Sequence, residues 1–281
     1  MATIINAILN LAQNPIRNIV ERYKSENRAN NAGDALEEYI KDVFWWTLWI
    51  KDQNLRNSAI ANTFSYLGNQ NNPPDIILKW WDAIEVKKVW NTLSWIALNS
   101  SYPKNKLYHD DKRITKTCKQ SDWGLWKEKD MIYIVWVVKN NTLSDLCFVY
   151  GDCYCADREF YLRISELMSK GIKEIPDIEF AVTKELAWIK KVDPLGITNL
   201  RVRGMWHIES PFRVFKWLFS NESNGTFRVN VLMTKEKYDS FSINDRRRLE
   251  INKSIKINEV LIPSPNNKAT LIKCVHISYY E

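Results

Sequence analysis

The sequence predicts an α/β fold, a central mixed β-sheet flanked by helices, and three patterns carry that prediction. Ile4, Ile5, Ile8, Leu9 and Leu11 recur at helical spacing near the start of the chain. Short apolar runs bounded by turn residues recur from residue 75 onward, as strands do. The 281 residues are 45% hydrophobic, enough for a large core, and no Gly/Ser/Pro-rich linker or composition break divides them. The expected organisation is one domain over residues 1–281, with an N-terminal helical segment over about 1–60 and a core over about 60–281.

The elements follow in order. After the first amphipathic helix, Gly33 to Phe44 places Leu36, Ile40, Val43 and Phe44 on one helical face, with Asn31 or Asp34 as a cap. Thr63 to Gly68 leads into Asn69-Gln-Asn-Asn-Pro-Pro74, which reads as a loop. Asp75 to Lys79 and Ala83 to Val89 read as two strands joined by a tight turn at Trp80 to Asp82. Met131 to Val138 and Asp145 to Tyr150 form a second hairpin. Asp157 to Ser169 reads as a helix with Phe160, Ile164 and Leu167 on one side. Further strands are expected at Leu200 to His207, Thr226 to Met233, Ile255 to Ile262 and Ala269 to Tyr279.

Composition narrows the class. The longest apolar stretch, Asp42 to Ile50, is too short to span a bilayer, and the start lacks a basic region before an apolar run. A cytoplasmic protein with no membrane partner is the expectation. Five cysteines, an odd number, argue against a disulfide framework, and with three histidines no zinc spacing appears. His109 and His207 have no Ser or Cys partner in a triad-like arrangement and read as structural. A net charge of +7 and a pI near 9.0 suit a partner rich in phosphates, although charge alone does not decide it.

One constellation carries chemistry. Pro74-Asp75 is followed, after nine residues, by Glu85-Val86-Lys87. Residues two apart on a strand share a face, so Glu85 and Lys87 point together, and the hairpin can bring Asp75 beside them. Two carboxylates are what Mg²⁺ takes from a protein when phosphate and water complete its shell. Asp75 and Glu85 are the candidate metal ligands, and Lys87 is the group to orient a water and offset phosphate charge. A solvated hairpin with alternating charges is the plain alternative. Against it, Ile84, Val86 and Val89 flank the charges as they would on an interior strand.

These residues match the pattern of the PD-(D/E)xK nuclease superfamily. Longer strings are more particular: Asn27-Arg-Ala-Asn30 with Gly33 to Ile40, Ser65 to Ile77, Ala97-Leu-Asn-Ser-Ser-Tyr-Pro-Lys104, Val149-Tyr-Gly-Asp-Cys-Tyr154, and Lys191-Val-Asp-Pro-Leu-Gly-Ile-Thr198. Over most of its length the chain resembles type II restriction endonucleases of the NgoPII family. The resemblance implies a restriction-endonuclease-like fold in a single nuclease domain, Mg²⁺ as cofactor, and cleavage of double-stranded DNA at the palindrome GGCC. It also implies a homodimer and a separately encoded DNA methyltransferase. A Glu on a helix before the motif, best matched by Glu37 with Glu38 as fallback, would assist the metal.

For DNA contact, Ala97 to Lys106 offers Asn99, Ser100, Ser101, Lys104 and Lys106. Arg201 and Arg203, two apart on an expected strand, are the leading base readers, because Arg reads guanine bidentately. Lys112 to Lys119 sets cations on an expected helix suited to phosphates, and Arg246 to Arg248 is a phosphate-facing or solvated run. Two other classes stay open: a repair or junction nuclease of the same superfamily, and a non-catalytic DNA-binding protein.

The chain holds 13 Trp and only 8 Gly, where average usage of about 7% would give roughly 20 Gly. Trp80 and Trp81 fall in the tight turn, and Trp45, Trp46 and Trp49 crowd a helix end, both places that favour glycine. Several of these tryptophans are read as standing where the fold was built around glycine, which predicts Gly-like φ at Trp81 or Trp46. The alternative is a Trp-rich core or DNA-facing aromatics.

Overall fold

A computed structural model describes residues 2–25, 32–45, 50, 52–69, 72–139, 142–219 and 227–281. Four helices lead: α1 (Ile4–Gln13), α2 (Ile19–Ser25), α3 (Ala32–Trp45) and α4 (Gln53–Thr63). Of the expected caps for α3, Asn31 lies outside the described residues and Asp34 falls within the helix. Helix α4 occupies a polar stretch with little amphipathic pattern. It is held by the Asp52 side chain, which accepts from the backbone N–H groups of Asn54 and Leu55, and by buried Arg56.

Strands β1 (Phe64–Asn69), β2 (Asn72–Leu78) and β3 (Ala83–Val89) follow, then the short β4 (Trp95–Ala97) and β5 (Lys106–Tyr108) and a one-turn helix α5 (Lys116–Lys119). The long hairpin β6 (Glu128–Lys139) and β7 (Thr142–Tyr150) leads to α6 (Gly151–Tyr154) and α7 (Arg158–Lys173). An arm of short strands follows: β8 (Glu179–Phe180), β9 (Ala187–Lys190), β10 (Leu200–Val202) and β11 (His207–Glu209). The chain finishes through α8 (Pro211–Val214), α9 (Lys216–Phe219), β12 (Arg228–Thr234), α10 (Lys235–Ser240), α11 (Ile243–Glu250), β13 (Ile255–Pro263) and β14 (Leu271–Tyr280).

The main sheet runs β1-β2-β3-β6-β7-β12-β14-β13, with β5 added beside β6. It is mixed, since β3 pairs with β6 and β12 with β7 in parallel while the other neighbours are antiparallel. Both faces are covered, so β6 is apolar from Met131 to Val138. Ile132, Ile134 and Trp136 join the core beneath α1 and α3, and Met131, Tyr133, Val135 and Val137 join the other core. On β3, Ile84 and Val86 pack into the first core, and Ala83 and Val89 into the second. The period-2 rule therefore aims Glu85 and Lys87 to the second side.

Several expectations need correction. The segment read as a loop before Asp75 is partly strand, because Asn69 ends β1 and Asn72 to Pro74 open β2. Leu200 to His207 is two strands in separate sheets, β10 beside β9 and β11 beside β4. Of the cationic segment at 112–119 only Lys116–Lys119 is helical. Helix α7 forms, yet no residue on it is buried, and Phe160 and Leu167 are exposed. Positive φ falls on Trp80 and Trp123 rather than Trp81, whose ring stacks on Phe241 at 5.7 Å. Trp46 and Trp49 lie outside the described residues, as does the expected strand start at Thr226. Among the described residues no helix is long and apolar enough to cross a membrane.

Candidate active site

Strands β2 and β3 pair antiparallel with Ile76 opposite Ile84, so one further step along the ladder sets Asp75 across from Glu85. The local sequence explains this. The turn at Trp80 to Asp82 is closed by Leu78 N–H to Asp82 O (2.9 Å) and Trp81 N–H to Leu78 O (2.9 Å), and it fixes the register. Gly68 on β1 lies over the Asp75 backbone, where an added Cβ would come to 2.9 Å from the Asp75 carbonyl oxygen. The close strand approach there requires glycine.

Asp75 Oδ2 accepts the Val86 N–H at 2.7 Å, which orients its carboxylate. Glu85 Oε1 pairs with Lys87 Nζ at 2.6 Å, and Glu85 Oε2 is buried with no hydrogen-bond partner. Burial, and then the neighbouring Glu85 charge, raise the Asp75 carboxyl to about 8. Burial alone would lower the Lys87 ammonium, but Glu85 and Asp75 outweigh it and hold the group above its usual value. The pair of carboxylates is thus under-compensated by the chain's own groups, and a buried carboxylate oxygen stands open. That donor set fits a hard divalent cation. Among the described residues no third acid, His or Cys completes a closer cluster.

Glu37 on α3 is partly buried, and its charge acts on both Asp75 and Lys87. Glu38, the fallback, is spent elsewhere, on Lys41 at 2.8 Å and Arg56 at 2.5 Å.

The triad opens into a cleft of about 450 Å³ that Asn99, Ser100, Ser101, Arg201 and Arg203 also line. Their convergence comes from β11 pairing with β4 and from two further bonds, Leu98 N–H to Trp206 O (2.9 Å) and Trp206 N–H to Asn99 O (2.8 Å). Arg203 Nη2 donates to Ser100 Oγ at 3.2 Å.

Two expected DNA contacts are elsewhere. Lys104 is 2% exposed, and its Nζ pairs with Asp111 Oδ2 at 2.5 Å over the Tyr102 ring. Buried and neutralised, it cannot meet a phosphate. Lys106 faces Asp130 (3.0 Å) and Glu128 (3.2 Å), away from the cleft. Thr183, Lys184 and Glu185 line the cleft without having been singled out in the sequence, and Arg113 joins them. Arg113 belongs to the cationic run expected to suit phosphates, although it lies before the one helical turn at Lys116–Lys119. Lys184 and Glu185 carry no local signal, since their importance comes from β9 and β10 folding back.

A family model for the NgoPII restriction endonuclease matches residues 2–263. The chain belongs to the NgoPII restriction endonuclease family. It is 45% identical over 278 residues to the type II restriction enzyme NgoPII of Neisseria gonorrhoeae, covering 99% of each chain. No solved structure matches it. As an NgoPII-family member it is a type II, site-specific restriction endonuclease acting on double-stranded DNA, and the mixed sheet flanked by helices agrees with a restriction-endonuclease-like fold. The readings as a repair nuclease or a non-catalytic binder give way to this one.

Proposed function

We propose that this endonuclease hydrolyses phosphodiester bonds in a Mg²⁺-dependent reaction at the palindrome GGCC, with Asp75, Glu85 and Lys87 as its active site. The observation that carries the reading is the pair of carboxylates from adjacent strands, one with a buried oxygen left open, beside a charged lysine. A divalent cation held by Asp75 and Glu85 would polarise the scissile phosphate and lower the pKa of a bound water. The chain's own residues do the remainder. The Val86 N–H fixes Asp75. Lys87, kept protonated by both carboxylates, offers Nζ to orient the attacking water and to offset charge on the phosphate. Glu37 adds negative potential from α3 and assists the cation.

Asn99, Ser100, Ser101, Arg201 and Arg203 contact DNA in this proposal, and the GGCC site rests on the family resemblance together with arginines suited to guanine. A palindrome calls for a two-fold homodimer, with one active site per strand. Residues 1–281 act as one nuclease domain, since α1 and α3 share the core of the main sheet. A separately encoded methyltransferase protects host DNA, and the enzyme works in the cytoplasm. Incubation with Mg²⁺ and a sequenced plasmid, followed by mapping of the ends, tests this. Cuts confined to GGCC are expected, and scattered ends or no cleavage would overturn it.

A further inference from the structure

We propose that Glu185 is a positioning residue that gathers Arg113, Arg201 and Arg203 into a fixed cationic fork for guanine edges beside the catalytic carboxylates. This rests on the proposed DNA cleavage at the same cleft. The Glu185 side chain is only 5% exposed, yet three guanidinium groups meet it. Arg201 Nη2 lies 2.8 Å and Arg203 Nε 3.4 Å from Oε1, while Arg113 Nη2 lies 3.3 Å from Oε2. One carboxylate among three arginines leaves two positive charges uncancelled at the cleft wall. Arg201 and Arg203 stay half exposed, at 50% and 51%, so each keeps donors free for a ligand. Without the carboxylate, like charges this close would repel one another and the side chains would fan out.

The fork is also tied to the chemistry. The Asn72 Nδ2 group donates to the Arg113 carbonyl at 2.7 Å, three residues before Asp75 on the same strand. Glu185 itself is set by its own N–H, which donates to Thr183 Oγ1 at 3.0 Å, and by the Leu186 N–H to Val202 O bond at 3.1 Å that aligns it with β10. A pre-set fork matches guanine O6 and N7 at lower ordering cost than three independent arginines.

Glu185→Gln tests this against wild type and Lys87→Ala. The ratio of cutting at the cognate site to cutting at sites one base pair different should fall roughly 10- to 100-fold. The single-turnover rate at saturating cognate DNA should stay within a few-fold, and non-specific affinity should rise with a steeper salt dependence as a negative charge is lost. A merely structural role would lower stability or turnover without changing the ratio of cognate to near-cognate cutting. An unchanged specificity ratio and salt slope would overturn the proposal, as would a loss of turnover as deep as that of Lys87→Ala. Should Glu185→Gln lose its fold, Glu185→Asp, which retracts the carboxylate while keeping its charge, carries the specificity arm alone: the cognate-to-near-cognate ratio should still fall, and an unchanged ratio would overturn the proposal. Failure of wild type to cut any duplex would instead refute the proposed function.

A second inference stands on the backbone. Trp80 and Trp123 adopt φ of 67° and 63°, a region that bulky residues rarely enter. The two residues are 48% and 81% exposed, and their rings meet edge to face, 5.9 Å apart. The turn is held without them, through Trp80 N–H to Asp122 Oδ1 (3.0 Å) and Lys129 Nζ to Asp122 (2.6 Å) and to the Trp81 carbonyl (3.0 Å). Trp136, in the buried strand β6, leaves its Nε1–H without a partner. We infer that positions 80 and 123 belong to glycine, a UGA codon at each being read as Gly in the native host. Codon sequencing with peptide mass spectrometry of protein from that host should find UGA and Gly there, and Trp80→Gly with Trp123→Gly should raise the Tm. UGG codons with Trp in the peptides, or a lowered Tm, would overturn it.

Discussion

Lys104→Ala removes a cation that the fold has sealed against Asp111. The two side chains are 2% and 3% exposed, and Nζ lies 2.5 Å from Oδ2. Asp111 Oδ1 meanwhile accepts the Arg113 N–H at 2.7 Å, so the pair also anchors the loop that presents Arg113 to the cleft. Burial by itself would raise the Asp111 carboxyl, but Lys104 holds it below the usual carboxylate range. Deleting the lysine strands a buried carboxylate, at a cost of about 3–5 kcal/mol. That is a large fraction of the roughly 5–15 kcal/mol that stabilises a typical domain, and corresponds to a fall in Tm on the order of 10 °C. Lys104→Met combined with Asp111→Asn removes both charges and keeps an acceptor for Arg113, so the double variant should lose less than half as much. Urea unfolding of both variants measures this. If Lys104→Ala loses under about 1 kcal/mol while the salt slope of DNA binding drops by about one contact, the burial account is wrong and Lys104 touches phosphate after all.

Lys87→Ala should cut kcat by about 10²–10⁴-fold with cognate DNA binding largely intact, and Asp75→Ala should abolish cleavage. Near wild-type cutting by either would refute the triad. Because the folded-state Asp75 carboxyl is raised to about 8, the protein without cation loses stability as pH rises from the ordinary carboxylate range toward that value. Cation binding then expels a proton, so Mg²⁺ should raise the Tm more at pH 8 than at pH 6, and chelation should reverse the gain. A pH-independent Mg²⁺ shift would contradict this. Sedimentation on a cognate duplex should show two chains per site, and a lone protomer would count against the dimer.

Asp75, Glu85 and Lys87 were legible in the sequence because everything that assembles them is local. A period of two decides the face, and a short turn decides the partner. The same holds for α1 and α3, whose apolar stripes read directly, and for the β6–β7 hairpin. The amphipathic run of α7 predicted its helix correctly but not its exposed apolar side. Lys104 and Lys106 lie outside the cleft for a related reason. Sequence shows that a lysine is present, but whether it meets solvent depends on Asp111 and Asp130 arriving from other elements. Glu185 lies 100 positions after Glu85, and nothing near it in the chain announces three arginines. Only the return of β9 and β10 across the cleft places it there, since like charges can be gathered only where folding delivers their counter-charge. Local periodicity determined the strands that carry Asp75, Glu85 and Lys87, and long-range pairing decided which cations line the cleft beside them.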